Sequence, residues 1–154
     1  MRVLVLESRS GAADDPVVQL QARGHSVVRC HDGRGRRVFP CSALVEGHQC
    51  PLENHRPRVD VALTVRHQAS SLPAPLEDGI ACALRAHVPV VVAGDVESNP
   101  YEALGAAVAG DDVVKACERA ANKALERRGS VALRVPDAAL GGHDTMIDIN
   151  IDRV

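Results

Sequence analysis

The feature that most constrains this chain is its opening β-α-β pattern. Arg2–Leu6 reads RVLVL, a short β-branched and leucine run of the kind that forms a strand buried on both faces. Glu7–Gly11 follows as a turn, and a helix is predicted over residues 12–23, with Val17, Val18, Leu20 and Ala22 facing inward. Asp14, Asp15 and Pro16 suit its first turn, where carboxylates meet the helix dipole and proline lacks no needed donor. Gly24 is the stop signal, and Gly24–Cys30 gives a second short strand.

The same alternation continues further on. Val59–Val65 (VDVALTV) and Val88–Ala93 (VPVVVA) are buried strands, with a helix over Gly79–His87 between them. Glu77-Asp78 reads as the cap of that helix. Tyr101–Leu104 is a short helix and Gly105–Ala109 a weak fifth strand. Asp111 caps a helix over residues 112–128, with Val113, Val114, Cys117, Ala120, Ala121, Ala124 and Leu125 predicted to face in. Ser130–Val135 and Met146–Ile151 then alternate apolar and polar residues around Gly141-Gly142, so residues 129–154 are predicted to form a C-terminal β ribbon.

A second helix is missing from this order. Residues 31–58 show no sustained 3.6-residue period, only enough apolar spacing for a turn or two of helix over Cys41–Glu46. So long an irregular connection inside a domain needs something to pin it. It carries Cys41 and Cys50, follows directly on Cys30, and also holds His31, His48 and His55.

Composition limits the functions available. A chain of 154 residues with 45% apolar and 25% charged residues suits one globular domain. A net charge of -2 gives no drive toward nucleic acid or anionic membrane, and one Tyr, one Phe and no Trp leave no platform for stacking bases. Gly33–Arg37 (GRGRR) is a local basic run best read as a solvated loop. No apolar stretch approaches a bilayer span, and the opening run is too short for a signal peptide. The expectation is a cytoplasmic protein whose five cysteines are thiols or metal ligands.

The runs RVLVL, VDVALTV and VPVVVAGD in βα-type succession resemble the response-regulator receiver over residues 1–128. The resemblance implies a flavodoxin-like, doubly wound, mostly parallel α/β sheet, here with the Cys/His-rich insert 31–58 in place of the second helix. The family's phosphorylation site does not carry over. Its acidic pair is replaced by Glu7-Ser8, its phosphate-accepting aspartate by the stretch Thr64-Val65-Arg66, and its hydroxyl residue by Ala93-Gly94, while Lys115 lies inside the last helix. The resemblance therefore implies a pseudo-receiver without phosphotransfer. The whole chain is also similar to an uncharacterised bacterial family with a Cys-bearing insert, which implies no activity.

Open parallel sheets bind ligands at the carboxyl ends of their strands. Ser8, Arg9, Ser10, Arg66 and His67 are the candidate ligand-binding residues on that edge, with Ser8–Gly11 able to offer backbone N–H groups to a phosphate but lacking any glycine-rich phosphate motif. Cys30, Cys41, Cys50 and Cys82 are the candidate metal ligands. Thiolates with or without an imidazole suit zinc, and four thiolates suit zinc or an iron–sulfur cluster. The Cys-x10-Cys-x8-Cys spacing matches no compact knuckle, and Cys50-Pro51 resembles the residue pair at some cluster cysteines. The plainer alternative makes Cys30 and Cys82 small buried hydrophobes and Cys41 and Cys50 loop thiols. Cys117, among helical apolar neighbours, is read as core. A Cys30–His31 catalytic pair is disfavoured because adjacent strand residues face opposite ways.

These readings lead to a regulatory or binding module with a structural or redox-sensing metal site, acting through a protein partner. A small transferase or hydrolase using Glu7, Arg9, Cys30, Arg66, His67 and Asp95 is the enzyme alternative. A metal-free interaction module, dimerising through the final ribbon, is the third.

Overall fold

Among the described residues, five strands make a single parallel sheet in the order β2-β1-β3-β4-β5: β1 is Arg2–Glu7, β2 Ser26–Arg29, β3 Val61–Arg66, β4 Val90–Gly94 and β5 Ala107–Val108. This computed structural model describes residues 1–30, 41, 49–53, 58–67 and 70–132, the last four by their backbone alone. The order is that of a flavodoxin-like, doubly wound sheet, in which the chain reverses its direction of travel between β1 and β3. In-register pairs such as Val3↔Val27, Val5↔Leu63 and Leu63↔Val91 hold the strands together.

The sheet is covered on both faces, which is why its strands are apolar without alternation. Val3, Val5, Val61, Leu63 and Val91 point to one face, where α1 (Asp14–Ala22) and α3 (Val113–Ala132) pack through Leu20, Val114 and Cys117. Leu4, Leu6, Ala62, Val90 and Val92 point to the other face, where α2 (Gly79–Arg85) packs through Ile80 and Ala83. Cys30, Tyr101 and Val59 belong to this second face, and Leu52 packs against it.

Residue parity thus decides what each strand end meets. Glu7 is in step with Val3 and Val5 and lies on the α1 side. Thr64 and Arg66 are in step with Ala62 and lie on the α2 side.

Several sequence expectations are adjusted. In α1 only Leu20 is fully buried. Val17 is half-buried, while Val18 and Ala22 are exposed, since a nine-residue helix at the rim lays only a narrow stripe on the sheet. In α3, Leu125 is exposed because the helix runs out past the end of the sheet. Asp112, one residue later than expected, caps α3 by accepting from Lys115 N at 2.9 Å. That bond comes first in holding the Asp112 carboxyl below its ordinary range.

The largest change is at the end of α3. It continues through Gly129 to Ala132, so Ser130–Ala132 are helical where the ribbon's first strand was expected. Once an amphipathic helix is nucleated, adding residues to it costs less than starting a new strand. The rest of the ribbon, residues 42–46 of the short helix expected over Cys41–Glu46, the basic run Gly33–Arg37, and His31, His48 and His55 lie outside the described residues.

Candidate functional site

The β1–β3 reversal is where a doubly wound sheet opens a crevice, and the chain places Ser8 and His67 there. His67 N donates to Ser8 Oγ at 2.9 Å, and Ser8 N donates to Val65 O at 2.9 Å, so the two strand ends are tied together. Arg9, Ser10 and His67 are exposed around this tie. These four sequence-predicted residues therefore share one rim.

Beneath the rim, Glu7 is buried and closes the β1–α1 turn. Its Oε2 accepts from Gly11 N and Ala13 N, each at 3.1 Å, and its Oε1 accepts from Arg29 at 3.2 Å. Arg29 also reaches Asp14 at 3.3 Å. The carboxylate does at the start of α1 what a capping side chain normally does, since Ala13 has no side-chain oxygen to offer. Asp95 is held through its backbone, its N donating to Arg66 O at 2.9 Å.

Arg66 turns away from the rim. Only 2% exposed, it donates from Nη1 to both oxygens of Glu77, at 2.9 and 3.3 Å, and from Nη2 to Ser70 O at 2.7 Å and Leu72 O at 3.2 Å. Glu77 is equally buried. It also accepts from Thr64 Oγ1 at 2.7 Å and from Ala74 N at 2.8 Å. Tyr101 lies against the guanidinium, 5.9 Å from ring centroid to Cζ. Burial, reinforced by the Glu77 charge, holds the Tyr101 phenol above its ordinary range, and its hydroxyl has no hydrogen-bond partner among the described residues. Arg66 thus braces Ser70 and Leu72 from inside, and its donors, Nε excepted, are committed to the protein.

Of the four candidate metal ligands, Cys30 and Cys82 lie on the α2 side of the sheet. Cys30, at the end of β2, is 4% exposed and packs against the first residue of α2: a Cβ at Gly79 would stand 2.8 Å from its Sγ and 2.6 Å from Leu6 Cδ2. Cys82 is three residues further along α2. Burial pushes the Cys30 thiol up to about 12, and charge on Cys50, Cys41 and Cys82 adds to that shift, in that order. All three other thiols therefore lie within electrostatic reach of Cys30.

Reach is not ligation. A zinc–sulfur distance of about 2.3 Å puts tetrahedral thiolate sulfurs about 3.8 Å apart. Among the described residues no three Cys, His, Asp or Glu side chains are grouped tightly enough to hold a metal ion. Coulomb interaction decays only as the inverse of distance, so the two observations are compatible: the thiols are gathered but not closed on a common point. Cys117 stands apart, fully buried under α3, with its thiol pushed up to about 12 by burial and then by Glu118.

Sequence reasoning read Glu77 as a helix cap; it does accept from Ala74 N at the start of the short 3-10 turn Pro75–Glu77, but it also carries the buried pair with Arg66, which that reading missed. The missed signal was Arg66 itself, because a charged residue ending a strand buried on both faces requires a buried counter-charge. No described helix is long and apolar enough to cross a membrane. Comparison with protein-family models, curated proteins and solved structures finds no match to the chain.

Proposed function

We propose that the protein is a cytoplasmic regulatory or binding module of pseudo-receiver type, whose insert binds zinc or an iron–sulfur cluster through Cys30, Cys41, Cys50 and Cys82 and which acts through a protein partner. One observation carries this reading: a buried thiol at the end of β2 has the three other candidate ligands in charge range. Cys41 and Cys50 come from the connection between β2 and β3, and Cys82 comes from α2. A metal would draw these sulfurs together and tie that segment to the sheet, a structural or redox-sensing role. It would also remove the proton that burial now keeps on Cys30, so uptake would release acid.

The enzyme alternative has weaker support. Arg66 and Glu7 are engaged in internal ion pairs, which leaves Arg9, His67 and Asp95 as its accessible charged groups. Phosphotransfer has no carboxylate at the end of β3 to accept a phosphoryl group, because Arg66 ends that strand.

Elemental analysis and an absorption spectrum of anaerobically purified protein test the reading. About one equivalent of zinc, or iron with a visible band, is expected, with serine replacement of Cys30, Cys41, Cys50 or Cys82 lowering the content. Metal below about a tenth of an equivalent, after incubation with zinc or iron and sulfide, would remove it.

A further inference from the structure

At the amino ends of β4 and β5, opposite the Ser8–His67 rim, lies a groove of about 520 Å³. Leu84, Pro89, Val90 and Ala107 give it an apolar floor, and Leu104 on its rim is 58% exposed. From α3 it takes Lys123, Arg127 and Arg128, all exposed. Among the described residues no aspartate or glutamate lines it.

The three cations are not equivalent. His87, at φ +55°, follows α2 in the left-handed conformation that glycine usually takes at a helix end, and Arg128 Nη2 donates to its carbonyl at 3.1 Å. Arg128 is thus occupied in closing α2. Lys123 and Arg127 stand four residues apart on one face of α3, a rise of about 6 Å. Neither has a hydrogen bond or ion pair to another described residue.

Two uncommitted cations beside an apolar floor match a ligand with a doubly charged head and an apolar body. A phosphate monoester carries a charge of about −1.5 to −2 near neutral pH, and a guanidinium fork fits its oxygens. A carboxylate neutralises only one of the two cations. The groove's size lies within the small-molecule range of about 300–1,000 Å³. An acidic peptide adding a strand fits less well, because β5 has two residues and offers a ladder only a bond or two long. No Phe, Tyr or Trp among the described residues lines the groove, so the body is aliphatic and not a stacked ring. We infer that the groove binds a soluble aliphatic phosphate monoester, its head between Lys123 and Arg127 and its chain along Leu84, Leu104 and Ala107. This inference is independent of metal binding.

NMR amide-shift titration of the full-length chain with octyl phosphate, kept below its micelle concentration, tests it. Saturable shifts centred on residues 84–90, 104–108 and 120–128 are expected. Inorganic phosphate and octanol each lack one half of the ligand and should bind at least about tenfold more weakly. Lys123→Ala with Arg127→Ala should weaken octyl phosphate by about tenfold or more and leave octanol unchanged. Leu104→Ser should weaken octyl phosphate and leave inorganic phosphate unchanged. Should a variant fail to fold, the wild-type shift map and the comparison of the three probes still decide. No saturable shift at millimolar probe, shifts centred elsewhere, equal binding of inorganic phosphate, or affinity unchanged by the double replacement would overturn it. So would tighter binding of an aspartate-rich peptide, or of vesicles containing phosphatidic acid, than of octyl phosphate.

Discussion

Arg66 and Glu77 meet at 2.9 Å with both side chains essentially out of solvent, eleven residues apart in sequence. The pair fixes the end of β3 to the turn that starts α2, and through Gly79 it borders the packing around Cys30.

Breaking this pair on one side leaves a buried charge without its partner. Glu77→Gln is expected to lower stability by about 3–5 kcal/mol, measured by urea unfolding. A double replacement, Arg66→Met with Glu77→Leu, should recover most of that loss, because it removes both desolvation penalties together. A double variant no better than the single would show that Thr64 and Ala74, not the ion pair, dominate the network.

Two glycines are held to their identity by different obstacles. At Gly94, with φ +83°, a Cβ would stand 2.1 Å from Arg66 O, a backbone atom that cannot yield. At Gly79 the obstacles are the side chains of Leu6 and Cys30, which can shift. Gly79→Ala should therefore cost about 1–3 kcal/mol, as overpacking does, and Gly94→Ala more. Thermal melting of the two variants gives the order.

Cys30 and Cys117 should be the slow thiols in the metal-free folded protein. Both are protonated until about pH 12, so titration with a disulfide reagent at pH 8 should label Cys82 and the loop thiols first. The same shifts set a pH dependence. Between pH 9.0, the ordinary value, and about 12, the unfolded chain has lost protons that the folded chain keeps. Stability should then fall as pH rises, by at most about 1.4 kcal/mol per pH unit per thiol, with no contribution below pH 9. Cys117→Ala should remove its share of that slope.

Glu7 supports the turn under Ser8. Glu7→Ala would leave Gly11 N, Ala13 N and Arg29 without their shared acceptor, a loss of about 1–3 kcal/mol by denaturant titration. Glu7→Gln keeps one acceptor oxygen and should fall between the two. If Glu7→Ala unfolds like the wild type, the turn is held by its backbone alone.

Much of the fold was legible from RVLVL, VDVALTV and VPVVVA, because a strand buried on both faces needs an unbroken apolar run, and that requirement is local. The gathering of Ser8, Arg9, Ser10 and His67 on one rim followed from the strand-end rule. The inward stripe of α1 and the length of α3 did not follow, since each depends on how much sheet lies beneath the helix.

By itself, the sequence determined that this chain makes a parallel α/β sheet. Only the tertiary structure decided that Arg66 faces inward to Glu77 on the α2 side of the sheet while Val65, its neighbour, packs on the α1 side. Which of two adjacent residues lies on which face is a matter of parity, and parity is fixed by register against β1 and β4, contacts that local pattern does not contain.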